Sequence, residues 1–170
     1  KMSQIRYQIS VILVFVFSQL NSQSIAEGDV ELLKNNIDVK INNADLDLNR
    51  GDLHNGITQL KSALEIANTI ESKSSIGIIN TKLANLFLKL KELDSAEFHI
   101  DRAIVIQSGL DDDINLAFSR YTNGLIYLEK KQYIQAIDLF TNSNIVFEEN
   151  ELNEFIAQAA LKQGIAHLSI

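Results

Sequence analysis

The segment Asp45-Leu46-Asp47-Leu48-Asn49-Arg50-Gly51 sets oxygen-bearing side chains at alternate positions, the spacing with which a calcium-binding loop begins. Such a loop also needs glycine at its sixth position, for the sharp turn, and a carboxylate at its twelfth, to grip the ion with two oxygens. Here those positions hold Arg50 and Gly56, so no metal is expected. Arg50-Gly51-Asp52 spells an adhesion tripeptide, but the repeat register described below assigns it to a turn between helices. The histidines His54, His99 and His167 include no pair at the i, i+4 spacing that brings two imidazoles to one metal. His99 is expected to face solvent and His167 to fill a large core position. Asp111, Asp112 and Asp113 read as a solvated loop and helix cap. There is no glycine-rich phosphate loop, no serine in a strand–turn–helix nucleophile context and no cysteine. The groups that catalysis requires are not assembled in the sequence, and the chain is expected to be no enzyme and to need no cofactor.

Composition narrows the partners. A net charge of −7 over 170 residues opposes the clustered Lys and Arg that phosphate backbones need, so nucleic acid is not an expected partner. Without proline nothing removes a backbone donor or forces a kink, and long helices are permitted throughout. The first two dozen residues differ from the rest. Lys1 and Arg6 are basic, Ile9 to Phe17 is apolar apart from Ser10, and a polar stretch runs from Ser18 to Ser24. That order matches a secretory signal peptide, and the apolar run is shorter than the ~20 residues of a membrane-spanning helix. Residues 1–24 are therefore expected to be a signal peptide cleaved near residues 22–25, or else a hydrophobic N-terminal helix. The remainder, residues 25–170, is expected to be exported or held in the cell envelope. Loss of the two positive charges Lys1 and Arg6 takes the net charge from −7 to −9. Membrane contact is expected only through this segment or a region beyond residue 170.

The elements that position the remaining residues emerge when the chain is shifted against itself by 40 positions. Ala44, Ala84, Gly124 and Gly164 then share a column. Phe87, Tyr127 and His167 share a second, in which Asp47 is the exception. Leu53, Leu93 and Tyr133 align, followed by Gly56, Ala96 and Ala136. Leu60, Ile100 and Phe140 come next, then Ala63, Ala103 and Ser143, then Ile66, Ile106 and Val146. Steps of three and four put these residues on one face of a helix. Small side chains there admit a neighbouring helix, and large ones fill the space beside it. Helices are predicted at about 30–50, 75–90, 114–130 and 152–169, each paired with a second at about 53–69, 93–108 and 133–148. Asp52 and Ser74 are the predicted N-caps, and Asp111–Asp113 suit the positive end of the helix that follows.

This order of small and large residues resembles the tetratricopeptide repeat. Gly124, Tyr127, Tyr133, Ala136, Phe140 and Ser143 form the best copy, and Ala84, Phe87, Leu93, Ala96, Ile100 and Ala103 the next. Two features depart from the family pattern: the period is 40, where the family's is 34, and Asn68, Ser108 and Glu148 stand where the family has proline. The resemblance implies an all-α, right-handed α-solenoid of antiparallel helix pairs. Its units are about 37–74, 75–113 and 114–151, with a partial unit at 152–170. It further implies a concave groove lined by the first helix of each pair. The groove-facing positions would be Thr81, Asn85, Leu88 and Lys89, then Tyr121, Leu125, Leu128 and Glu129, then Leu161, Ile165, Leu168 and Ser169. In that groove Asn85 would grip a peptide backbone, Tyr121 would stack on apolar side chains and Lys89 would meet an acidic group. The function implied is a protein- or peptide-binding scaffold, the exported N-terminal module of a longer bacterial sensor or regulator. The alternative is a structural module that forms a homo-oligomer through the open end at Ala157–Ile170.

Overall fold

A computed structural model describes residues 27–170; the expected signal peptide lies outside the described residues. Seven helices are described: α1 (Glu27–Arg50), α2 (Leu53–Thr69), α3 (Lys73–Lys89), α4 (Leu93–Gln107), α5 (Asp113–Glu129), α6 (Tyr133–Glu149) and α7 (Asn153–His167). The chain divides into two units, Lys1–Asn35 and Asn36–Ile170. The described part of the first is the opening of α1. The second is an all-α helical-repeat solenoid: each helix from α2 onward packs on its successor, and α3 adjoins α5 as α5 adjoins α7. First helices of successive pairs therefore lie side by side. No described helix is long and apolar enough to cross a membrane.

Each 40-residue period is two 20-residue halves built alike. The residues Gly51, Glu71, Lys91, Lys131 and Glu151 all have positive φ, between 53° and 81°. Around Lys91, Lys91 N–H donates to Leu88 O (3.0 Å) and Glu92 N–H to Phe87 O (2.9 Å). The same two bonds recur at Gly51, Glu71, Lys131 and Glu151. This Schellman arrangement satisfies carbonyls that the helix end leaves free. The next residue in each case, Asp52, Ser72, Glu92, Gln132 or Leu152, is the N-cap of the following helix. A 17-residue helix, about 25 Å long, fills such a half in α2, α3, α5 and α6, and three-residue links follow α2, α3, α5 and α6. Ser72, not the expected Ser74, caps α3, because the register of the turn starts the helix at Lys73. Asp52 caps α2 as expected, its carboxylate accepting from Asn55 N–H at 3.1 Å.

One link breaks the pattern. Helix α4 stops after 15 residues at Gln107, and no residue between it and α5 has positive φ. Gly109 N–H and Leu110 N–H donate instead to Ile106 O and Gln107 O. Asp112 then caps α5, accepting from Asn115 N–H (3.1 Å) and Asn115 Nδ2 (2.7 Å).

The aligned columns form the interior. Ala84, Ala96, Ile100, Ala103, Ala136 and Phe140 are fully buried, as is the Ser143 side chain, whose hydroxyl donates to Leu139 O. Phe87 is buried and Tyr127 half-buried. Gly124 shows why the small column is small: a Cβ there would sit 2.7 Å from the ring of Phe140. In the preceding unit the same positions hold Ala84 and Ile100, where a slimmer side chain leaves room for the methyl group. Two members of the columns depart from expectation. His167 is exposed, because no described helix covers that face of α7 as α4 covers Phe87. Gly164, for the same reason, has nothing within 4 Å of a built Cβ.

Candidate functional site

The first helices enclose a groove of about 320 Å³. Helix α1 contributes Ala44, Asp45 and Leu48, and α3 contributes Lys82, Asn85, Leu86 and Lys89. Helix α5 adds Phe118, Tyr121, Thr122 and Leu125, and α7 adds Phe155 and Gln158, while Leu60 of α2 forms part of the floor. Of the eight positions expected in the second and third units, the structure brings Asn85, Lys89, Tyr121 and Leu125 to this groove.

The other four are placed elsewhere. Thr81 is buried between α3 and α5, where its hydroxyl lies 2.5 Å from Ser119 Oγ. Leu88 packs into the apolar core. Leu128 is half-buried outside the groove lining, and Glu129 pairs with Lys91 at 2.7 Å on the outer surface. Of the positions expected after the third unit, Leu161, Ile165, Leu168 and Ser169 are exposed and stand outside this lining; Phe155 and Gln158, nearer the start of α7, take that place. Sequence reasoning missed Asp45, Phe118 and Phe155 because the resemblance places groove positions at fixed offsets from the small residue of each unit, the same in every unit. Lateral contacts obey a shorter offset. Asp45 meets Lys82 and Asn85 meets Thr122, each 37 residues apart; Thr81 meets Ser119, 38 apart. Phe118 meets Phe155, again 37 apart. Neighbouring first helices are thus slipped by two or three residues, about 3–4.5 Å, and the groove crosses them on a diagonal.

Each junction between first helices has its own chemistry. Between α1 and α3, Lys82 Nζ donates to both oxygens of Asp45, at 2.7 and 2.9 Å. Between α3 and α5 runs a ladder of neutral polar groups. Asn85 Nδ2 donates to Thr122 Oγ1 (3.1 Å) and to Thr81 O (3.2 Å). Below it, Ser119 Oγ bridges Thr81 and the Oε1 of Gln107, the last residue of α4. Gln107 is buried and its Nε2 has no partner among the described residues. Between α5 and α7 the contact is aromatic. Phe118 lies edge-on to Phe155 of α7 (4.7 Å between ring centres), and α6 completes the cluster: Phe118 is tilted against its Phe147 (5.1 Å), and Tyr121 lies 5.6 Å from its Phe140.

These arrangements decide what the groove can offer a ligand. Both Asn85 amide hydrogens are engaged within the protein, so what Asn85 presents to a backbone is its oxygen, an acceptor. The Lys82 charge is compensated by Asp45. Lys89 has no ion-pair partner among the described residues and stands exposed at the end of α3. The Tyr121 hydroxyl donates to no described group, and burial of its ring raises its pKa, so it is a neutral donor at ordinary pH.

The calcium-like segment is helical, and its carboxylates diverge. Asp45 reaches Lys82 of α3, while buried Asp47 accepts from Asn55 Nδ2 of α2 at 2.6 Å. His99 does not face solvent as expected. Its ring stacks on Phe87, with 5.4 Å between ring centres and 4° between planes, and its Nδ1 bonds to Asn80 Oδ1 at 2.8 Å. Burial, helped by Arg102 and Lys61, lowers its pKa to about 4. It is a neutral packing residue outside the groove. Comparison with protein-family models finds no match for this chain, and comparison with curated proteins finds none either.

Proposed function

We propose that this protein is a non-enzymatic scaffold of tetratricopeptide type that holds a segment of another polypeptide in the groove formed by α1, α3, α5 and α7. The observation that carries this reading is the groove's lining: an aromatic wall on α5 and α7, with one uncompensated cation and an amide acceptor on α3. A cleft of about 320 Å³ with a mostly apolar lining and a few convergent polar groups is what ligand sites look like, and rigid helices present such groups with little ordering cost on binding. The partner is a protein or peptide, met on the exported side of a cell membrane if residues 1–24 act as a signal peptide.

A titration of the 15N-labelled chain with exported proteins, read by NMR, tests the proposal. Shifts concentrated at Asn85, Lys89, Tyr121 and Leu125 are expected, and Tyr121→Ala is expected to weaken binding tenfold or more. Perturbation confined to the outer helices α2, α4 and α6 would sink it.

A second reading is favoured by α7 and its C-cap, where Leu161, Ile165 and Leu168 are 62%, 41% and 91% exposed. This face would join copies of the chain into a homo-oligomer. Sedimentation at tens of micromolar separates the readings: a dimer abolished by Ile165→Glu supports self-association, and a monomer removes it.

A further inference from the structure

We infer that the groove selects a peptide in extended conformation carrying an acidic side chain about four residues from an aromatic one. This rests on the scaffold reading and adds to it the composition and spacing of the ligand. The aromatic requirement comes from α5 and α7. Phe118, Tyr121 and Phe155 line the groove with ring faces and edges, and their inner sides are braced by buried Phe140 and Phe147. An aromatic side chain of the ligand completes such a cluster, with partners already fixed in edge and tilted geometries. The acidic requirement comes from α3. Of the three charged side chains in the lining, Asp45 and Lys82 neutralise each other at 2.7 Å, which leaves Lys89 as the net charge of the groove. The protein as a whole is acidic, at −7, but exposed charges beyond about 8 Å are screened at physiological salt, so the nearby cation governs what binds beside it.

The lateral offset fixes the spacing. With Thr81 abreast of Ser119 and Asn85 abreast of Thr122, Tyr121 lies level with residues 83–84 of α3. Lys89 is then five to six residues farther along, about 8 Å, and packed helices stand about 9 Å apart. The two backbone positions are therefore about 12 Å apart, a distance that an extended chain covers in about four residues. Asn85 lies between them, and its free amide oxygen is placed to accept a backbone N–H of that chain.

The probes are capped synthetic dodecapeptides of Ser, Ala and Gly carrying Asp and Phe four positions apart in either order. Controls carry Asn for Asp, Ala for Phe, or Asp and Phe adjacent. Binding to the full chain is followed by NMR titration in 50 mM salt. The spaced peptide in one of the two orders is expected to bind three- to fivefold tighter than its Asn and adjacent-residue controls, the range for an exposed ion pair. It should bind tenfold or more tighter than the Ala control. The Asp preference is expected to vanish at 500 mM salt and in Lys89→Gln, while the Phe preference persists. Equal binding of Asp and Asn peptides, or of spaced and adjacent peptides, would overturn the inference and leave the scaffold reading intact. Failure of every peptide to shift groove resonances would overturn both.

Discussion

The junction between α3 and α5 and the junction between α5 and α7 occupy equivalent places in the repeat, yet one is wet chemistry and the other grease. The first is held by Thr81, Ser119, Asn85, Thr122 and Gln107 through hydrogen bonds. The second is held by Phe118 and Phe155 through ring contacts, both of them packed on Phe147 of α6. A hydrogen bond exchanged with water returns only about 1 kcal/mol net, whereas a buried aromatic ring returns several. The polar junction is also where α4 ends early, where the left-handed turn residue is missing, and where a buried amide lacks a partner. The repeat thus conserves its geometry while varying how firmly neighbouring units are joined. The polar junction fixes orientation, because its donors and acceptors have direction, and the aromatic junction supplies the larger share of the binding between units.

The sharpest way to break this contrast is Phe147→Ala. The side chain is fully buried at the centre of the aromatic junction, so truncation is expected to cost about 3–5 kcal/mol in urea unfolding. Ser119→Ala, its counterpart in the polar junction, is expected to cost less, about 1–3 kcal/mol. Should the order reverse, the polar junction is the stronger one and the contrast fails.

Gly124→Ala probes the helix-pair packing that both junctions share. The added methyl group meets Phe140 at 2.7 Å, and a loss of about 1–3 kcal/mol is expected from overpacking, partly offset by alanine's better helix propensity. The double change Gly124→Ala with Phe140→Ile reproduces the pairing of Ala84 with Ile100. A double-mutant cycle is expected to return a favourable coupling of about 1 kcal/mol; strict additivity would show that the small and large columns do not compensate.

Two smaller effects distinguish the regions further. His99 lies on the α3–α4 pair, and burial first, then Arg102 and Lys61, hold its pKa at about 4. The folded value lies below the ordinary 6.5, so between those values the unfolded chain binds a proton that the folded chain refuses. Stability is therefore full above pH 6.5 and falls as pH drops toward 4, by about 1 kcal/mol once solvent screening of a half-exposed ring is allowed for. His99→Gln is expected to flatten that slope in unfolding curves at pH 5.0 and 7.0; an unchanged slope would place its origin elsewhere. Finally, Lys91→Gly relieves a non-glycine residue at φ 61° and is expected to stabilise the protein by up to about 1 kcal/mol. The same change at Ser108, in the irregular link, should bring no gain.

Much of the fold was legible because helix pairing writes itself into side-chain size. A face that packs against another helix admits only certain volumes, so Ala84, Phe140 and their column mates recur at 40 positions. The half-period of 20 was not legible. First and second helices bury different faces, so their columns do not match, and the left-handed turn position holds Lys or Glu as readily as glycine: only Gly51 announces it. Of the groove, Asn85, Lys89, Tyr121 and Leu125 were within reach only through the resemblance to the tetratricopeptide pattern, which puts groove positions at fixed offsets from the small residue of each unit.

The sequence by itself determined the helical class, the period and the interior columns, since all three follow from side-chain volume and local periodicity along one chain. Only the tertiary structure decided which residues face one another across units. The slip of two to three residues between neighbouring first helices pairs Asp45 with Lys82, buries Thr81 against Ser119 and uses both Asn85 hydrogens. That slip arises from how whole helices settle against each other, and no spacing within a single helix encodes it.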